Sequence, residues 1–188
     1  VYPPLMDFLG AGIASVLTAT GMGVSEAASA ALAALNPVIG ALTCIPVFLV
    51  AREMFDKRVG VVAALVFAFL ALPISTTVFS SGTEYGLAAF LLAFTTWFMV
   101  RMVKAADAEE PSKKGILMYA VLAGVFLALS ALTWNGFRFF VILMVVAMVI
   151  QIVVDRFRGR DFQNVLIGYI VAILVGTLIP AAYYMPAG

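Results

Sequence analysis

The polar stretch Ser80-Ser81-Gly82-Thr83-Glu84-Tyr85 separates two apolar runs, residues 60 to 79 and residues 85 to 103. A helix needs about 20 apolar residues to cross a hydrocarbon core of roughly 30 Å, which is close to the length of each run. The stretch is therefore predicted to connect two membrane-spanning helices. Its carboxylate, Glu84, is the first residue to consider for chemistry.

The composition of the whole chain agrees with this interpretation. Of its 188 residues, 64% are hydrophobic and 11% are charged, whereas a soluble domain carries about 25% charged residues. The chain is therefore predicted to be an integral membrane protein. A net charge of +1 and the absence of histidine exclude a basic nucleic-acid surface, a His metal site and a His general base. Because the chain opens at Val1 and stops just after a predicted span, we interpret it as part of a longer protein.

The apolar runs predict an all-α, polytopic bundle that forms one partial transmembrane domain over residues 1–188. Residues 1–23 are expected to form an interfacial or partly inserted helix, because of their glycines and the opening Pro pair. Ser25 is expected to cap the next helix. The six predicted spans cover residues 25–51, 60–79, 85–103, 116–133, 139–154 and 165–185, each to within a few residues.

The positions of Lys and Arg predict the orientation of these spans, because short cytoplasmic loops retain basic residues. All but one of the 11 basic residues lie in alternate loops, namely Arg52, Lys57, Arg58, Arg101, Lys104, Lys113, Lys114, Arg156, Arg158 and Arg160. The polar stretch, the turn at Trp134 and the C-terminus are then extracytoplasmic. Aromatic residues are expected at that interface, namely Phe79, Tyr85, Trp134, Phe137, Tyr183 and Tyr184.

Two charged residues on the predicted outer side are candidates for function, and each has a simpler explanation. Glu84 is either a first-turn acid, favoured by the helix dipole beside a Ser81 or Thr83 cap, or a metal or proton ligand that faces a cavity. Arg138 is either an interfacial cation that snorkels or a contact for a lipid phosphate. No predicted span has an ionisable residue near its centre, which argues against a proton-coupled pump.

Four segments resemble one family when they are taken together and in order. Residues 36–47 and 51–60 look like the second and third spans of the catalytic subunit of archaeal and bacterial oligosaccharyltransferase. Residues 2–5 (Tyr-Pro-Pro-Leu) resemble the end of that family's first external loop. Residues 132–137 (Leu-Thr-Trp-Asn-Gly-Phe) resemble its short external turn after the fifth span.

The resemblance implies a multi-pass glycosyltransferase of the C type in the cell membrane, with its active face outside. Such an enzyme moves an oligosaccharide from a polyprenyl phosphate or pyrophosphate to the Asn amide of an acceptor protein. The family carries an acidic pair in its second external loop that helps to hold Mg²⁺ or Mn²⁺. Aligned with that pair, Glu84 matches the second acid, Gly82 replaces the first, and Ser75 stands where the family usually has Arg. The remaining catalytic residues of the family lie outside this sequence, so the catalytic set is unknown.

Three alternatives remain open at this point. One is another polyprenyl-dependent glycosyltransferase on the same membrane scaffold. A second is an inactive paralogue or a membrane scaffold, for which the missing acid at position 82 is the best support. The third is a transporter, although the sequence shows no inverted repeat and no paired broken helices.

Overall fold

A computed structural model of the protein describes residues 4–70, 84–108 and 110–184. All regular secondary structure in these ranges is helical, which confirms the predicted all-α class. The helices, in chain order, are α1 (Leu5–Ala19), α2 (Val24–Met54), α3 (Lys57–Phe69), α4 (Tyr85–Ala106), α5 (Lys113–Ala131), α6 (Phe137–Phe157) and α7 (Gln163–Tyr184).

Five of these helices, α2, α4, α5, α6 and α7, are long and apolar enough to cross a membrane. The predicted span at residues 60–79 overlaps α3, and its last part lies outside the described residues. Helix α1 is apolar but has only 15 residues, fewer than the roughly 20 that a crossing requires. The interfacial position of residues 1–23 and the crossing at 60–79 therefore stay predictions.

The starts of α2 and α3 show how local chemistry sets a helix boundary. Asp56 precedes α3, and its Oδ1 accepts a hydrogen bond of 2.8 Å from the Val59 N–H, as an N-cap side chain does. The expected Ser25 cap of α2 is wrong, because the helix already begins at Val24 and Gly23 takes the N-cap position without a side-chain bond. Ser25 therefore lies within the first turn of α2.

The described residues divide into two compact units, and the first contains residues 4–70, 84–93 and 132–134. Helices α1 and α2 approach closely at Gly10, where an added Cβ would lie 2.6 Å from Leu32 Cδ2. Helices α2 and α3 approach at Gly60, where a Cβ would lie 3.0 Å from the Phe48 carbonyl oxygen. Small residues thus let the backbones of this unit come together, as is common in membrane bundles.

The second unit contains the described residues from 94 to 131 and from 135 to 184. Its centre is the contact of α5 with α7, where a Cβ on Gly124 would lie 2.7 Å from Val175 Cβ and 2.8 Å from the Ala172 carbonyl oxygen. In the same contact, a Cβ on Gly176 would lie 2.5 Å from Leu127 Cδ2. Helix α6 belongs to this unit but buries only Met144 and Asp155.

Candidate functional site

The candidate site is built around a contact between Tyr85 and Trp134. Their ring centroids lie 5.9 Å apart with the ring planes at 80°, an edge-to-face arrangement that aromatic pairs favour. Tyr85 is the first residue of α4, and Trp134 lies in the turn that follows α5. The contact therefore connects the start of α4 to a turn that is about fifty residues away along the chain.

The start of α1 is attached to the same turn. The Leu5 N–H donates a hydrogen bond of 3.0 Å to the carbonyl oxygen of Leu132. Met6, next along α1, and Thr133, next along the turn, are both buried. Three segments therefore meet at this site, namely the start of α1, the start of α4 and the turn at residues 132–134.

Glu84 stands immediately before α4, beside the aromatic pair. Its carbonyl oxygen accepts a hydrogen bond of 3.0 Å from the Ala88 N–H, so Glu84 occupies the N-terminal boundary of the helix. Its side chain is partly exposed. The N-terminus of a helix carries a partial positive charge that favours an acidic group. The predicted capping partners Ser81 and Thr83, together with Gly82 and Ser75, lie outside the described residues.

The described residues do not make a complete metal site around Glu84. In the ranges 4–70, 84–108 and 110–184, no three Cys, Asp or Glu side chains come close enough to share a metal ion. A single carboxylate is a weak ligand set for a hard divalent cation, which takes about six oxygen ligands. Glu84 would therefore need further ligands from outside the described part of the chain.

Arg138, the second candidate, belongs to the second unit. It is exposed in the first turn of α6 and lies within electrostatic reach of the Tyr184 hydroxyl. That hydroxyl donates a hydrogen bond of 3.4 Å to the Ala131 carbonyl oxygen. The structure therefore associates Arg138 with the last residue of α7, and Glu84 with the first unit.

One buried polar residue was not anticipated from the sequence. Asp155 directly follows the predicted span at residues 139–154, but α6 continues to Phe157 and Asp155 is only 1% exposed. Its Oδ1 accepts a hydrogen bond of 3.0 Å from Gln151 Nε2, whereas its Oδ2 is buried without a partner among the described residues. The spacing of four residues between Gln151 and Asp155 is the sequence signal that would have indicated this contact.

The comparisons with known proteins agree on one family. The family model described as "Oligosaccharyl transferase STT3, N-terminal" matches residues 1–186. A relative from Archaeoglobus fulgidus, named dolichyl-phosphooligosaccharide-protein glycotransferase 3, is 27% identical over an alignment that covers 98% of this chain and 22% of the relative. The chain thus spans about a fifth of the length of this relative.

Solved structures show the same fold. The A. fulgidus oligosaccharyltransferase tethered to an acceptor peptide with an NVT sequon has a TM-score of 0.83 at 24% identity, over 98% of this chain and 22% of that one. The archaeal oligosaccharyltransferase AglB from A. fulgidus, in complex with an inhibitory peptide and a dolichol-phosphate, has a TM-score of 0.77 at 23% identity, over 98% and 21%. A complex of the A. fulgidus enzyme with Zn and sulfate has a TM-score of 0.74 at 22% identity, over 98% and 22%.

Proposed function

The chain belongs to the STT3 N-terminal family of oligosaccharyl transferases, and from this premise we propose that the protein containing it transfers an oligosaccharide to protein. The donor is a polyprenyl phosphate or pyrophosphate carrier, and the acceptor is the side-chain amide of Asn in a sequon. The observation that carries the proposal is the family match over residues 1–186, because it includes nearly the whole chain in order.

The molecules present in the solved neighbours support this donor and this acceptor. One neighbour was solved with a dolichol-phosphate and an inhibitory peptide, and another with an acceptor peptide that contains an NVT sequon. The dolichol-phosphate suits a protein whose described residues include five helices that can cross a membrane, because a polyprenyl carrier is confined to the bilayer. Membrane lipids are then the third class of partner.

We propose that Glu84 is one ligand of a divalent cation, Mg²⁺ or Mn²⁺, with the other ligands supplied from outside the described residues. Carboxylate oxygens suit such hard cations, and one neighbour was solved with Zn and sulfate. A cation in such a site stabilises negative charge on a leaving phosphate. The edge-to-face contact of Tyr85 with Trp134 fixes the start of α4, and this contact holds the Glu84 backbone in place.

We propose that Arg138 contacts a phosphate of the lipid carrier. It is exposed at the start of α6, and a guanidinium group binds phosphate oxygens through two parallel hydrogen bonds.

An inactive paralogue is the second candidate function, and Gly82 in place of the family's first acid is the observation that favours it.

A transfer assay tests the proposed function. The purified protein, with the sequence that flanks this chain, is incubated with a polyprenyl-linked oligosaccharide and a fluorescent Asn-Val-Thr peptide. A slower-migrating glycopeptide should form, and a Gln-Val-Thr peptide should stay unmodified. A protein that is folded and binds the carrier, but modifies neither peptide, would favour the inactive paralogue.

The proposed orientation has its own test in intact cells. Single cysteines at Ala108 and Thr83, each in a Cys44→Ala background, are exposed to a thiol reagent that does not cross membranes. Because the basic loops predict position 108 inside and position 83 outside, we expect labelling at 83 and none at 108. The reverse pattern would contradict the orientation, and therefore the outer active face.

A further inference from the structure

The carboxyl end of α6 carries two exposed arginines that have no partner among the residues that the structure describes. Arg156 and Arg158 lie on either side of Phe157, which is 87% exposed. Neither guanidinium makes an ion pair or a hydrogen bond with any residue that the structure describes. Other arginines of the same unit are engaged: Arg101 lies over the Trp97 and Tyr119 rings at 5.7 and 5.2 Å, and Arg160 pairs with Asp107 at 3.1 Å.

None of the described acidic residues near these arginines pairs with them. Asp155 is buried and accepts a hydrogen bond from Gln151, and Asp107 pairs with Arg160. Asp161 accepts a hydrogen bond of 3.0 Å from the Gln163 N–H at the start of α7. The positive charge at Arg156 and Arg158 is therefore not neutralised by direct contact within the described protein.

An apolar groove opens beside Arg156. It has a volume of about 410 Å³ and is lined by Ile152, Val153, Arg156, Phe157 and Phe162, within the range of roughly 300–1,000 Å³ typical of ligand cavities. Four of its five lining residues are apolar, and the fifth is one of the unpaired arginines. The groove lies at the end of a mostly exposed helix that is long and apolar enough to cross a membrane, and the ends of such helices meet the lipid headgroups.

We propose that this end of α6 binds an anionic phospholipid, with its phosphate on Arg156 and one acyl chain in the groove that Arg156 lines, while Arg158 adds positive charge at the same helix end. Arginine binds phosphate oxygens in a fork geometry that lysine lacks. A free anion would use the arginines but would leave the aromatic walls of the groove in water, so the combination of charge and apolar surface selects a lipid. This site is separate from the proposed transfer reaction, and neither depends on the other.

The charge part of the site is tested by native mass spectrometry of the purified protein. The probes are phosphatidylglycerol and phosphatidylcholine with identical acyl chains. We expect tighter binding of phosphatidylglycerol, and a loss of roughly tenfold or more in its affinity in the double variant Arg156→Gln, Arg158→Gln. The matched control, Arg52→Gln with Arg58→Gln, removes two exposed charges, one from the last turn of α2 and one from the first turn of α3, and should change the affinity less than twofold. Equal losses in both variants, or no loss in the first, would overturn the proposal.

The binding of the acyl chain in the groove is tested with variants that do not change the charge. Val153→Trp fills the groove and should weaken phosphatidylglycerol binding about as much as the double arginine variant does. Ile142→Trp, on an exposed part of the same helix, should leave the binding unchanged.

Inorganic phosphate at millimolar concentration should not displace the lipid. Displacement by phosphate, or unchanged binding in Val153→Trp, would show that the arginines take a free anion. A wild-type protein that does not prefer phosphatidylglycerol, because another segment covers the groove, would also overturn the proposal. Unchanged melting temperatures show that each variant is folded.

Discussion

Helices α5 and α6 follow one another in the chain, and both are long and apolar enough to cross a membrane, yet they bury very different fractions of their surface. In the most apolar window of α5, 44% of the residues are buried, against 6% in α6, although α6 is the more apolar helix. The buried residues of α5 are mostly small, and include Ala120, Ala123, Gly124 and Ala128. The exposed residues of α6 are mostly large, and include Phe139, Ile142, Leu143 and Ile150.

The difference shows that hydropathy does not determine which membrane helix packs against protein. Lipid tails are as apolar as leucine, so burying a large apolar side chain against another helix gains little over leaving it in lipid. Small residues let two backbones approach, and the many close contacts that follow stabilise the pair. Residue size therefore predicts the protein-facing side of a span better than apolarity does.

The largest effect is expected from Gly124→Leu on α5. Any side chain there collides with Val175 and with the backbone oxygen of Ala172, so α5 and α7 must separate. We expect a loss of about 3 kcal/mol or more in the free energy of unfolding, measured by denaturant titration in detergent micelles. The control is Ala147→Leu, at an exposed position of α6, which should change stability by less than about 0.5 kcal/mol. If the two variants are equally stable, the contrast between the helices is wrong.

A smaller effect is expected when the same residue type is truncated on each helix. Leu127 on α5 is fully buried, whereas Leu143 on α6 is 62% exposed. Leu127→Ala removes packing around Gly176 and should cost about 2 kcal/mol or more, measured by the same titration. Leu143→Ala should cost less than about 0.5 kcal/mol, because the residue is mostly exposed among the described residues and loses little packing with them. Similar costs at both positions would mean that α6 is packed as tightly as α5.

The sequence was sufficient for the fold class and the family, because both depend on features that are continuous along the chain. Long apolar runs predicted helices, and four ordered segments predicted the oligosaccharyltransferase resemblance, which the family match confirms. The contact of Tyr85 with Trp134 joins residues about fifty positions apart, and an interfacial preference alone does not specify such a pair. The role of Glu84 stays a prediction, since the residues around Gly82 lie outside the described ranges. The role of Arg138 also stays a prediction.

Asp155 is a residue whose position could not be predicted from the sequence. Charged residues at the end of an apolar run are normally placed in a solvated loop, and Asp155 follows such a run directly. The structure instead extends α6 past it, and Asp155 is buried while the partly exposed Gln151 side chain donates a hydrogen bond to it. Which way a terminal residue points depends on the rotation of the helix against its neighbours, and that rotation is not visible from composition.

The central claim is that the start of α4 forms part of the active site of a glycosyltransferase, with Glu84 as a metal ligand. The most direct test is the transfer rate of Glu84→Gln against Glu26→Gln, an exposed acid in the first turn of α2, over a titration of Mg²⁺ and Mn²⁺. Replacing a residue that only supports a metal ligand typically lowers metal affinity or activity by about 10–100-fold. We therefore expect Glu84→Gln to lower the transfer rate by at least about tenfold and to raise the metal concentration needed for half-maximal activity. Glu26→Gln should match the wild type in both quantities. Equal behaviour of the two variants would contradict the claim and leave Glu84 as a residue that only begins a helix.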